Sequence, residues 1–208
     1  MPESLRRFFN DLAPEWDGKV NHSPEKIRFI LKLTGIAPGF KILDVGCGTG
    51  VLIPYLIEKI GPSGEITGID IAEKMLERAR EKFQEALFPN VKFAHGDIMN
   101  FESPDKFDAI IFYSVFPHIE DKPKCIKKTA SLLNPGGKLT ICHSESREKI
   151  NALHRSAGSP VFHHLLPPAD AVASYMKQAG LEVIHSIDND DVYAVIGSLP
   201  VSGKGIYS

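Results

Sequence analysis

A short apolar segment that runs directly into three closely spaced glycines is the feature that most constrains this chain. The segment 42–45 reads Ile-Leu-Asp-Val, and Gly46, Gly48 and Gly50 follow it in the pattern G-x-G-x-G. Because glycine has no Cβ, such a turn can adopt positive φ angles and let a ligand approach the backbone closely. The apolar residues of 51–57 then read as the start of a helix. We therefore predict a buried strand, a ligand-binding turn and a helix packed on that strand.

The turn differs from the one that binds dinucleotides. That motif is G-x-G-x-x-G, and the place of its third glycine is taken here by Val51. An acidic residue, Asp44, lies two positions before the first glycine, which suits a ligand with a positively charged ammonium group. The pattern thus favours a cationic ligand and opposes a nicotinamide-dependent reductase, the alternative that a glycine-rich turn would otherwise suggest.

Strand patterns recur along the chain and alternate with helical ones. Further strands are predicted at 65–70, 91–98, 107–114 and 136–142. This alternation predicts a mostly parallel sheet with helices on both faces, and ligands bind such sheets at the carboxyl edge. A final strand pair is predicted at 181–187 and 192–196, and helices at 24–33, 72–87, 122–133 and 169–179.

Two of these strands end in a carboxylate. Asp70 ends the second strand about 20 residues beyond the glycines, where a carboxylate can accept two hydrogen bonds from ribose hydroxyls. Asp97 ends the third strand. Taken singly, a strand-end aspartate can also be a helix N-cap, and Asp97 can equally cap a loop.

Together, these elements resemble a class I S-adenosylmethionine (SAM)-dependent methyltransferase over nearly the whole chain. The small-molecule enzymes near those of ubiquinone and menaquinone biosynthesis are the most similar branch. The resemblance implies an α/β fold: a Rossmann-like, doubly wound sheet of seven mostly parallel strands, with the last strand antiparallel, and an N-terminal helical cap over the cofactor. It implies SAM as cofactor, S-adenosylhomocysteine as product and a small-molecule acceptor.

The resemblance also implies an organisation for one methyltransferase domain, 1–208. A helical cap and an edge helix occupy 1–35, and the cofactor-binding core occupies 41–142. An acceptor-side lid is expected at 143–170. The C-terminal helix and strand pair are expected at 171–200.

Matching positions imply the cofactor contacts. Asp44 and the 46–50 turn would hold the methionine half of SAM, Asp70 the ribose and Asp97 the adenine. Tyr113 and Ser114 would line the passage between cofactor and acceptor. The complete set of expected cofactor-binding residues is Asp44, Gly46, Cys47, Gly48, Gly50, Asp70, Ile71, Met75, Asp97, Ile98, Tyr113 and Trp16.

Histidines follow the fourth and fifth predicted strands on the acceptor side. We expect His118, His143 and Tyr113 to be the catalytic residues, with a histidine as the base that a hydroxyl or carbon acid would need. The alternatives are that these histidines only hydrogen-bond loops, or that they bind a divalent metal together with His154 and Glu145. No metal ligand is assigned. The remaining histidines, His22, His95 and His185, are expected at the surface or in structural roles, and the adjacent His163 and His164 give a less specific signal.

Composition limits the other functions. The net charge of −2 and the pI of about 6.4 give no general electrostatic reason to bind nucleic acid. Three cysteines without C-x-x-C spacing, an N-terminus unlike a signal peptide and the lack of a long apolar run predict a cytoplasmic protein without a membrane span. The oligomeric state is not visible in the sequence. The rival function is a SAM- or metal-responsive binding protein of the same fold without turnover.

Overall fold

The computed structural model describes residues 3–201. The remainder of the expected 1–208 domain lies outside the described residues. Helices α1 (Glu3–Leu12), α2 (Trp16–Lys19) and α3 (Pro24–Thr34) precede the first strand, with a 3₁₀ turn at Ala13–Glu15. We call residues 3–19 the cap.

A seven-stranded sheet forms the centre of the fold. Its strands are β1 (Lys41–Val45), β2 (Glu65–Asp70), β3 (Val91–His95), β4 (Phe107–Tyr113), β5 (Leu133–His143), β6 (Glu182–Asp188) and β7 (Tyr193–Ser198). The spatial order is β3-β2-β1-β4-β5-β7-β6. Strands β1 to β5 pair in parallel, and β7 runs antiparallel to both of its neighbours. The predicted fold class is confirmed.

Five more helices connect these strands: α4 (Ile53–Ile60), α5 (Glu73–Lys82), α6 (Lys122–Ala130), α7 (Arg147–Ala157) and α8 (Ala169–Gln178). Alternation along β4 divides the core in two, as expected for a strand covered on both faces. Ile110 and Phe112 belong to the cluster that also contains residues of α6 and α8. Ile111 belongs to the other cluster, with residues of α3 and α4.

Two predicted helices end early. The helix predicted at 72–87 ends at Lys82, because Phe83 leaves helical geometry and its ring packs on Phe88 and Phe93 at centroid distances of 5.5 and 6.5 Å. The helix predicted at 122–133 ends at Ala130. There the Thr129 hydroxyl donates to carbonyl groups of the helix, and the following chain pairs with β4.

Strand boundaries also differ from the prediction. Strand β5 begins at Leu133, before the predicted 136–142, and the third strand ends at His95 and not at Ile98. None of the helices in residues 3–201 combines the length and the apolarity that a bilayer span requires.

Candidate active site

The glycine turn after β1 opens a cavity at the carboxyl edge of the sheet. Gly48 has a φ of 53° and a Cβ added there would meet no atom within 4 Å, so this position faces open space. Gly46 is different: an added Cβ would lie 2.3 Å from Val115 Cγ2, so only glycine fits. Both glycines line the cavity, whereas the Cβ position of Gly50 is 2.7 Å from the ring of Phe83 and serves packing.

The cavity has a volume of about 330 Å³, within the range usual for small-molecule sites. The cap, the glycine turn, the end of β2 and the residues directly after β4 all contribute to its wall, together with residues of the segment 143–170, which we call the lid. The expected cofactor residues that line it are Trp16, Gly46, Gly48, Asp70, Ile71, Met75 and Ile98. Four expected residues with side chains, Asp44, Cys47, Asp97 and Tyr113, lie outside this lining, as does Gly50.

Asp70 joins the ends of two strands. Its Oδ2 accepts a hydrogen bond from the Gly48 amide at 2.9 Å, and its Oδ1 accepts one from the Ala72 amide at 2.8 Å. Burial raises the pKa of this carboxyl, although both amides act in the opposite direction. Each carboxylate oxygen can accept a second hydrogen bond, so Asp70 can hold the turn and still bind a hydroxyl group in the cavity.

Asp44 is the clearest unsatisfied group on the cofactor side. The side chain is 2% exposed, and its Oδ2 has no hydrogen-bond partner among the described residues. Burial, with a smaller contribution from nearby Asp70, raises its pKa to about 7. A buried carboxylate without a partner is costly, and an ammonium group would supply both the missing donor and a countercharge. Asp44 lies beside Val45 and Gly46, which line the cavity.

Two other expected cofactor residues have local roles in the structure. Asp97 is the N-cap of the 3₁₀ turn Ile98–Asn100, where its carboxylate accepts from the Met99 amide at 3.0 Å. Cys47 is 3% exposed beneath the turn, and its sulfur lies 2.8 Å from the Cβ position of Gly68. Burial raises the pKa of its thiol well above the ordinary value.

The cap closes the cofactor side with aromatic rings. Phe9 lies edge-on to Trp16 at 5.7 Å and to His118 at 5.1 Å, so the cap reaches from the cofactor side to the histidines. Asp17 fastens the cap: it accepts from the Thr49 hydroxyl at 2.6 Å and pairs with Lys82 at 2.6 Å. Asp17 was not predicted as a site residue, because nothing in the residues around it distinguishes it from a solvent-exposed helix position.

Four histidines also line the cavity: His22, His118, His143 and His154. His143 is 1% exposed, and neither of its ring nitrogens has a partner among the described residues. Burial lowers its pKa to about 3. Burial and the neighbouring imidazoles also lower the pKa of His118 well below the usual value, so these rings are neutral at pH 7.

Residues that the sequence analysis discounted complete this histidine cluster. His164 Nδ1 lies 3.0 Å from His118 Nδ1, and the Nδ1–H of His154 donates to the His164 carbonyl. His22 was expected at the surface or in a structural role, yet it lines the cavity. The sequence held no periodic signal for either, because both lie outside helices and strands.

Tyr113 stands behind this wall and supports it. Its hydroxyl is 2.8 Å from His22 Nδ1 and 2.8 Å from Ser144 Oγ. Burial raises the pKa of Tyr113, so its hydroxyl stays protonated. Ser114, with an unusual positive φ of 58°, lines the cavity directly. Tyr113 thus orients His22 from behind the wall, whereas the neighbouring Ser114 lines the cavity itself.

The metal alternative finds no support in the side-chain geometry. Among residues 3–201, no group of three or more histidine, cysteine, aspartate or glutamate side chains is arranged to hold a metal ion. Glu145, which that alternative needed as a ligand, pairs with Lys149 at 2.7 Å.

Comparison with known proteins agrees with the geometry. A family model described as a methyltransferase domain matches residues 36–193. The chain belongs to this methyltransferase family. Demethylmenaquinone methyltransferase of Staphylococcus aureus is 30% identical over 189 residues, covering 85% of this chain and 77% of the relative. The chain is accordingly a SAM-dependent methyltransferase.

Solved structures show the same fold. A SAM-dependent methyltransferase from Aquifex aeolicus aligns with a TM-score of 0.72 at 21% identity, covering 91% of this chain and 98% of that one. The N-methyltransferase NodS of Bradyrhizobium japonicum, bound to S-adenosylhomocysteine, aligns with a TM-score of 0.71 at 18% identity over 95% of this chain and all of that one. The residues around the turn fit SAM: Asp44 has an unpartnered carboxylate oxygen that could accept from an ammonium group, and the carboxylate of Asp70 could accept from ribose hydroxyls.

Proposed function

We propose that this methyltransferase acts on a small, uncharged acceptor that carries a hydroxyl group on an apolar body, and that this acceptor binds against His143. The observation that carries the proposal is the pair of unpartnered ring nitrogens of His143 in a wall that is otherwise mostly apolar. A neutral imidazole has one donor and one acceptor. A hydroxyl group has the same two functions and can satisfy either nitrogen.

The charges of the cavity support an uncharged acceptor. Its formally charged lining residues are Lys19 and Asp70, and Asp70 belongs to the cofactor side. An ammonium group on the acceptor side would be transferred from water into a wall of neutral imidazoles and hydrocarbon without a countercharge, which is unfavourable. Amine acceptors, such as the name of NodS indicates for that protein, are therefore disfavoured here.

The proposed mechanism depends on position and on one proton transfer. SAM supplies a methyl group on a positively charged sulfur, from which a nucleophile displaces it. Asp44, Asp70 and the glycine turn would hold the cofactor, while His143 and His118 hold the acceptor oxygen in line with the methyl group. Such positioning can supply several kcal/mol of the barrier. As the oxygen becomes methylated its proton turns strongly acidic, and a ring nitrogen of His143 takes that proton.

His118, His154 and Tyr113 have supporting parts in this proposal. His118 contacts the cap through Phe9 and the lid through His164. An acceptor bound to His118 would therefore lie close to both the cap and the lid. His154 donates its Nδ1–H to a carbonyl, which leaves Nε2 as a hydrogen-bond acceptor. Tyr113 positions His22 and does not itself touch the cavity.

An acceptor panel tests the proposal. We would follow S-adenosylhomocysteine formation with phenols, quinols and amines of similar size, and include demethylmenaquinone because of the name of the relatives. The proposal predicts turnover with hydroxylated, uncharged compounds and its loss in His143→Ala, with SAM affinity nearly unchanged. Turnover with amines alone would contradict the proposed acceptor class. SAM binding without turnover on any acceptor would favour the binding-protein alternative.

A further inference from the structure

Exposed apolar side chains gather in the part of the lid that forms the cavity wall. Leu153, Phe162 and Leu165 are 59%, 44% and 36% exposed. Leu153 itself lines the cavity, and Phe162 directly follows Val161, a buried lining residue. Leu165 directly follows His164, which contacts His118 in the cavity wall. We call these three side chains the rim.

The rim lies in a stretch of the sequence without acidic residues. Between Lys149 and Ala169 there are two basic residues, Lys149 and Arg155, and no aspartate or glutamate, in a chain that has 26 of them among 208 residues. Arg155 is exposed and forms no ion pair with a described residue. On the cap side, exposed Arg7 precedes the lining residue Phe8. Exposed apolar side chains and exposed arginines without an ion-pair partner among the described residues thus occur next to residues of the cavity wall.

We propose that the rim docks on an anionic lipid surface and places the opening of the cavity against the bilayer. Apolar side chains that insert at the headgroup level, with arginines beside them, are the combination that interfacial binding uses. The cavity is itself mostly apolar, so an apolar acceptor could pass from the bilayer into it without crossing water. A second copy of the chain fits less well, because a symmetric pairing of this face would bring Arg155 and Arg7 near their own copies.

The test compares two pairs of exposed apolar residues. Phe162→Ser/Leu165→Ser removes most of the rim but spares Leu153, which lines the cavity. Phe29→Ser/Ile184→Ser is the matched control, since Phe29 and Ile184 are 46% and 41% exposed on α3 and β6. Co-sedimentation of the full chain is measured with vesicles of phosphatidylcholine alone and of phosphatidylcholine with phosphatidylglycerol. Circular dichroism melting confirms that both variants fold.

We expect the unmodified chain to bind the anionic vesicles more tightly than the neutral ones. The rim variant should lose about tenfold or more in partitioning, while the control variant keeps the affinity of the unmodified chain. Arg155→Gln should lose about fivefold at low salt, and Lys127→Gln on α6 should lose little. These effects need no acceptor and no turnover, so they do not depend on the proposed function.

Three results would overturn the proposal: no binding of the unmodified chain to anionic vesicles, an equal loss in the rim and control variants, or a dimer in solution that the rim substitutions dissociate. The last result, seen by light scattering, would assign this face to a second copy of the chain.

Discussion

At the scale of single residues, Asp44 should make the affinity for the cofactor depend on pH. Its pKa of about 7 reflects burial without a partner, so the carboxyl group is increasingly protonated as the pH falls below 7. Only the ionised form attracts an ammonium group. Binding of SAM or S-adenosylhomocysteine should therefore lower this pKa, and by linkage affinity should fall with decreasing pH.

Asp44→Asn should abolish that pH dependence. In the unmodified chain, we expect affinity for S-adenosylhomocysteine to fall by up to about tenfold for each pH unit below 7. The asparagine variant should bind weakly at every pH, because it offers the ammonium group no charge. Calorimetric titration between about pH 6 and pH 8 measures this, with exposed Asp105→Asn as the control. A flat pH profile in the unmodified chain would remove Asp44 from the ammonium site.

Gly48 and Gly61 form a matched pair for testing the turn. Both have positive φ angles, 53° and 64°, and at both an added Cβ would meet no atom within 4 Å. Gly48→Val and Gly61→Val should both incur backbone strain, but only Gly48 lines the cavity. We expect loss of S-adenosylhomocysteine binding in Gly48→Val alone, measured at a temperature at which both variants are folded. Equal binding by the two variants would contradict the cofactor site.

At the scale of elements, the cap depends on Asp17 for its attachment to the turn and to α5. Asp17→Ala should free this end of the cap and accelerate dissociation of S-adenosylhomocysteine about threefold to tenfold, as expected for a closing element that loses one or two charged hydrogen bonds. Trp16, the only tryptophan, lines the cavity, so stopped-flow fluorescence reports the rate. The control is Glu15→Ala, which breaks the exposed pair with Lys19. A similar rate in both variants would show that Asp17 does not hold the cap.

The elements themselves were the most predictable part of the molecule. Alternating apolar strands and amphipathic helices indicated the sheet, because burial on both faces leaves a clear pattern along the chain. Helix ends were less predictable: α5 ends where Phe83 meets Phe88 and Phe93, a contact between residues whose proximity only the folded chain shows.

Site residues at the ends of strands could be predicted from the sequence, whereas site residues in loops could not. Asp70 and His143 end strands β2 and β5 and line the cavity. His22 and His164 belong to segments without periodicity, and their positions follow from long-range hydrogen bonds to Tyr113 and His118. Tyr113 shows the converse. It lies at the end of β4, but side chains alternate between the two faces of a strand, and the side chain of Tyr113 lies behind the cavity wall.

At the scale of the whole molecule, the buried histidines should make stability depend on pH. Folding lowers the pKa values of His22, His118, His143, His154 and His164. The unfolded chain consequently binds more protons below its histidine pKa of about 6.5, and the free energy of unfolding falls as the pH drops through that value. Asp44 opposes this trend between about pH 7 and pH 4, because its pKa is raised.

His143→Gln isolates the contribution of one of these histidines. With a folded-state pKa of about 3, His143 should account for a loss of about 2 kcal/mol between pH 7 and pH 5, which the glutamine variant lacks. Urea unfolding of both proteins at the two pH values measures the difference, with exposed His163→Gln as the control. The same slope in the His143→Gln variant and the unmodified chain would mean that His143 is not buried in its neutral form.

A crystal structure with S-adenosylhomocysteine would show whether one cavity holds the cofactor at the glycine turn and leaves room for the acceptor at His143. We expect the ammonium group at Asp44, the ribose at Asp70, and the sulfur facing His143 across space for an acceptor. An adenine or ribose in contact with His143, or a ligand that leaves Asp44 and Asp70 without contact, would contradict this expectation.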